Sequence, residues 1–82
     1  MIVLHAAIDG GTFPQWLTVD RAIKKHWTPQ IKQLWYRYGY AGSYAEAACK
    51  YFGISAIYRN NASGVVFEFT ESQYTWFLMR WQ

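Results

Sequence analysis

Ile2, Leu4, Ala6 and Ile8 alternate with Val3, His5 and Ala7, a period of two that predicts a half-buried strand, stopped by Asp9, Gly10 and Gly11. Past the turn from Gly10 to Pro14 the period changes. Trp16, Val19, Ile23 and Trp27 recur at helical spacing while Arg21, Lys24 and Lys25 fall largely off that line, so an amphipathic helix ending at Trp27 is expected. Thr28 before Pro29 signals a new helix start, because Thr caps and Pro at the first helical position gives up an N–H that would be unpaired anyway. In this second helix Ile31, Leu34, Trp35 and Tyr38 sit at i, i+3, i+4 and i+7, Gly39 takes the left-handed stop, and Lys32, Tyr36 and Arg37 face outward.

Ser43-Tyr44-Ala45-Glu46 has the form of a capping box and predicts a third helix running to Phe52 and stopping at Gly53. Ile54, Ala56 and Tyr58 then alternate with Ser55, Ile57 and Arg59. Val65, Phe67 and Phe69 alternate with Val66 and Glu68 across the turn Asn60 to Gly64, which reads as a β-hairpin. Thr70 with Gln73 repeats the capping-box pattern ahead of Tyr74, Phe77, Leu78 and Trp81, whose spacing predicts a closing helix; Leu78 to Gln82 also admits an edge strand. The order β-α-α-α-β-β-α implies an α+β fold, a single domain over residues 1–82. Its sheet is expected to be three-stranded and antiparallel, with the first strand beside the third and the helices packed on one face.

Composition changes this picture by showing where the core comes from. A chain of 82 residues buries only about 60 to 65% of the surface it exposes when unfolded, so a few large side chains must supply its stability. Five Trp, seven Tyr and five Phe do so without staples. The lone Cys49 rules out an internal disulfide, and one Cys with two His makes a zinc site a poor expectation. No apolar run reaches the roughly 18 residues of a membrane span, and Met1 to Asp9 has no basic leader. A cytoplasmic protein is expected.

Charge adds a direction. Seven of the eight basic residues lie between Arg21 and Arg59 with Glu46 as the one acid, a balance of +6, while Asp9, Asp20, Glu68 and Glu71 against Arg80 leave the flanks at −3. A cationic surface rich in rings suits proteins, nucleotides or nucleic acid. Two patches are candidates. Trp76, Met79 and Arg80 lie on the side of the last helix opposite its apolar stripe, the composition of an interface hot spot, unless a sheet or another helix covers that side too. Lys32, Tyr36, Arg37 and Tyr40, with Tyr44 as a further ring, form the second, with Arg21, Lys24 and Lys25 nearby if the first two helices pack antiparallel. Its plain alternative is a solvated helix face.

Other polar residues have structural explanations. His5 sits on an alternating strand without a carboxylate or Cys near it in sequence, and His26 at a helix end meets the negative end of the dipole. Cys49 lies in a small-residue stripe that reads as close helix packing. No Ser-His-Asp or Cys-His pairing can be nominated, Asp9-Gly10-Gly11 is a turn, and Glu68 and Glu71 fit a strand exterior and a first helical turn. No catalytic residue, cofactor or metal ligand is therefore expected.

Two stretches carry resemblances. Ala48-Cys49-Lys50-Tyr51-Phe52-Gly53-Ile54-Ser55 resembles the first half of transposase-type helix-turn-helix modules, in which Ser opens a recognition helix for the major groove. Here Ala56-Ile57-Tyr58-Arg59-Asn60-Asn61 is about two residues short of the family spacing and puts Arg59 where an apolar residue belongs. A helix that ends at a glycine and enters a strand is the alternative. The stretch Phe67 to Trp81 resembles the ending of small α/β accessory proteins of T-even-type bacteriophages: an aromatic strand, an acidic helix start, and a closing aromatic, Leu, basic, aromatic run. That resemblance implies a virus-encoded protein that acts by adhering to a host or defence component, in the manner of an anti-CRISPR inhibitor.

Three functions are therefore in view. The first is a non-enzymatic accessory protein that binds and modulates a host protein assembly through Trp76, Met79, Arg80, Tyr36 and Arg37. The second is nucleic-acid binding by Arg21, Lys24, Lys25, Lys32, Arg37, Tyr40 and Arg59, with steep salt dependence. The third is capture of a small anionic nucleotide by stacked Tyr rings and Arg side chains. An edge strand and an outward Trp also make a homodimer an open alternative.

Overall fold

A computed structural model of the chain describes residues 1–7, 11–26, 43–62 and 64–81, with only the backbone of Ser43 and Tyr44. The predicted second helix, with Lys32, Tyr36, Arg37 and Tyr40, lies outside the described residues. The rest follows the expected order: β1 (Ile2–His5), α1 (Phe13–His26), α2 (Ser43–Phe52), β2 (Ala56–Asn60), β3 (Gly64–Phe69) and α3 (Glu71–Trp81). The fold is α+β, with an antiparallel sheet in the order β1-β3-β2, so the first strand does lie beside the third.

Register decides which side chains meet. Phe67 on the central strand is opposite Leu4 on one side and Ile57 on the other, and Phe69 is opposite Ile2. With a period of two these residues share one face, and that face packs against Val19, Ala22 and Ile23 of α1, Ala45, Ala48 and Phe52 of α2 and Phe77 of α3 in one core. Rings join the layers: Phe77 lies 5.5 Å from Phe69 and 6.1 Å from Phe52, and Trp16 stacks on Phe67 at 5.5 Å. Such aromatic pairs add about 0.5 to 1.5 kcal/mol each beyond their burial. Val66 points to the other face, between His5 and Tyr58 in the register, and is also fully buried.

Strand ends differ from the alternation pattern, because hydrogen bonds and not hydropathy end a strand. β1 stops at His5, three residues before Ile8. The His5 N–H is taken by Thr12 Oγ1 at 2.7 Å, while Ala6 N–H still reaches the Val65 carbonyl at 3.2 Å. β2 starts at Ala56, not Ile54, because Ile54 belongs to the helix stop. Gly53 takes φ +73°, and the N–H groups of Gly53 and Ile54 both donate to the Cys49 carbonyl at 3.0 Å, a left-handed C-terminal cap. No recognition helix follows Ser55; the chain enters a strand there.

The closing helix is built as its sequence predicts. Thr70 N–H donates to Gln73 Oε1 at 2.9 Å and Gln73 N–H to Thr70 Oγ1 at 3.1 Å, a reciprocal capping box. Ser55 Oγ also donates to Gln73 Oε1, tying the entry of β2 to the start of α3. Leu78 to Trp81 is helical, so the edge-strand alternative does not hold for those residues. The Ser43 side chain of the other proposed box lies outside the described residues.

Candidate functional site

α3 buries Phe77 and partly buries Tyr74, Leu78 and Trp81 against the core. At 100° per residue the opposite arc holds Glu71, Ser72, Thr75, Trp76, Met79 and Arg80, and all six are exposed. Glu71, Ser72, Thr75, Trp76 and Met79 line one shallow open groove. Among the described residues no helix or sheet covers this side, where Met79 is 82% and Trp76 50% exposed.

Trp76 is seated and does not hang free. Gly53 lies beneath it: a Cβ on that glycine would stand 3.6 Å from Trp76 Cζ3, ordinary contact distance, so the bare backbone lets the indole come close to the end of α2. Arg80, one turn further along α3, holds its Cζ 5.6 Å from the Trp76 ring centroid and 5.0 Å from that of Trp81. Stacking of this kind holds a guanidinium in place at a gain of about 0.5 to 1 kcal/mol at exposed sites. The cation is thereby fixed beside an exposed apolar surface.

Tyr51 belongs to the same surface and was not singled out from the sequence. It is 54% exposed and packs 5.5 Å from Trp81 and 4.9 Å from Phe52. The available signal was an aromatic off the Ala45, Ala48, Phe52 stripe, just before the helix-stopping glycine. Behind it Trp81 meets Phe52 at 4.9 Å and His26 at 5.4 Å. His26 therefore packs against a ring as well as ending α1. Trp81 Nε1, His26 Nε2 and Trp16 Nε1 are buried with no hydrogen-bond partner among the described residues.

The described basic candidates stand on two separate elements. Arg21 and Lys25 are exposed on α1, which packs on β1 and α3; Arg59 is exposed on β2, opposite Val65 near the hairpin tip. Lys24 lies 2.8 Å from Asp20 Oδ2, and Asp20 is itself 3% exposed. Burial raises the Asp20 pKa above the usual carboxylate value, against the lowering effect of Lys24 and Arg21. Burial likewise pushes the Cys49 thiol up, opposed by the Ile57 amide, and Cys49 packs against the core as its small-residue stripe suggested.

Among the described residues no three His, Cys, Asp or Glu side chains gather as a metal site, and no helix is long and apolar enough to cross a membrane. Comparison with known proteins finds no family, no characterised protein and no solved structure that matches this chain.

Proposed function

We propose that this chain is a non-enzymatic binding protein that docks a protein partner through the outer face of α3. Trp76, Met79 and Arg80 are its anchors and Tyr51 flanks them. One observation carries the reading: large apolar side chains stand exposed beside a guanidinium stacked on two indoles. Trp, Tyr and Arg are the residues that dominate binding energy at protein interfaces. The partner is a component of a bacterial host or of its defences, as the likeness of the C-terminal stretch to phage accessory proteins implies, and docking inhibits or redirects it.

The described cations support this reading over nucleic-acid binding. Arg21 and Lys25 stand on α1, Arg59 on β2, and Lys24 is engaged by Asp20. The experiment is an affinity capture from bacterial lysate at about 50 and about 500 mM salt, with and without nuclease, since charge contacts are screened at the higher value. A host protein retained by the wild type through nuclease and high salt, and lost by Trp76→Ala, is expected. Truncating an anchor of this kind costs at least about 2 kcal/mol, or roughly thirtyfold in affinity. Recovery of nucleic acid alone, at low salt alone, would overturn the proposal.

A further inference from the structure

The outer face of α3 is complementary to itself, and we propose that a second copy of this chain occupies it when the target is absent. The two helices then cross in antiparallel sense about a two-fold axis at the level of Thr75 and Trp76. This rests on the reading of that face as a docking surface and adds what covers it at rest. Target and second copy exclude one another.

The pattern of the face carries the inference. Its acid, Glu71, is in the first turn and its base, Arg80, in the last; its small residues, Ser72 and Thr75, come before its large ones, Trp76 and Met79. In a two-fold contact residue i meets residue j while j meets i. Reversing one helix about the Thr75/Trp76 level sets the Glu71 end of each copy against the Arg80 end of the other. The same reversal sets Trp76 and Met79 at the levels of the partner copy's small side chains. A parallel pair would instead place acid against acid, base against base and indole against indole. Glu71 and Arg80 flank opposite edges of the face, so the helices must cross, and crossing near −50° is the commonest class of helix packing. One short helix per copy buries less than the roughly 1,200 to 2,000 Å² of a stable interface. The dimer is therefore weak, with a dissociation constant on the order of tens of micromolar.

Sedimentation velocity on the purified chain, at low salt and from about 5 to about 500 µM, reads the equilibrium. The wild type shifts from monomer to dimer across this range. Glu71→Arg and Arg80→Glu each place like charges opposite one another and weaken self-association at least about tenfold, while an equimolar mixture of the two forms a heterodimer at wild-type concentrations. Met79→Asp, at a position whose exposure leaves the core untouched, also stays monomeric, and far-UV circular dichroism confirms that each variant is folded. A wild type that stays monomeric throughout, single variants that dimerise like the wild type, or a mixture that fails to pair would each overturn the inference. Protein that captures its target yet never dimerises refutes this inference alone. Protein that dimerises but captures nothing refutes the proposed function alone.

Discussion

Lys24→Met tests the account of Asp20, the one charged side chain described as buried. The substitution keeps the aliphatic stem and removes the ammonium that donates to Asp20 Oδ2 at 2.8 Å. Removing one partner of a buried ion pair costs about 3 to 5 kcal/mol. Here the Lys24 side chain is 31% exposed against 5% for Asp20, and Asp20 has further interactions, so about a third to a half of that cost, roughly 1 to 2 kcal/mol, is expected at pH 7. In a domain of this size that lowers Tm by about 5 to 15 °C. The sign with pH follows from the raised pKa of Asp20: the folded state holds this proton more tightly than the unfolded chain. The stability it contributes is complete below the unfolded value of 3.8 and is lost as pH rises through the folded value. Lys24 lowers that folded value, so its removal widens the window, and the gap between wild type and variant should be open at neutral pH and close in acid. Urea unfolding followed by Trp fluorescence at several pH values measures it. A gap of the same size in acid and at pH 7, or no gap at all, would refute the reasoning.

Other expectations are local. Gly53→Ala should cost about 1 kcal/mol through the left-handed backbone alone, since its Cβ finds ordinary contact distance to Trp76; urea melts should show this loss with the Trp76 environment, read by fluorescence, unchanged. Thr70→Ala removes the acceptor of the Gln73 N–H and should cost about 1 kcal/mol, restored in large part by Thr70→Ser. Burial and a raised pKa should make Cys49 react with a thiol reagent at neutral pH at least about tenfold slower than an exposed cysteine, with full reactivity returning on unfolding.

The sequence was most informative where the relevant physics is local. Thr70 and Gln73 announced the start of α3 because a capping box is closed within four residues, and the stripe Tyr74, Phe77, Leu78, Trp81 named its buried side correctly. Its outer face, Trp76, Met79 and Arg80, followed by subtraction. Alternation placed the strands, and connectivity their order, yet alternation overran the end of β1: the last bond to β3 is that of the Ala6 N–H to Val65, and on the outer edge the His5 N–H goes to Thr12, non-local contacts that hydropathy does not encode. The sequence entered Asp20 only in the charge balance, for a related reason: its burial depends on which side of α1 meets the sheet and α3. Tyr51 joined the site through Trp81, a contact across thirty positions of chain to which no local pattern is sensitive.

Gly53 both stops α2 and forms the bare patch on which Trp76 rests. The position of the outward indole is thus coupled to the length of a different helix. Side chains along the rim of the α3 face can change without disturbing the scaffold. An insertion or deletion in α2 cannot, since one residue turns its end by about 100° and takes the seat away from the ring. Descendants of this chain should therefore accept substitutions around a Trp of constant placement, and keep the spacing between Ala48 and Gly53 intact.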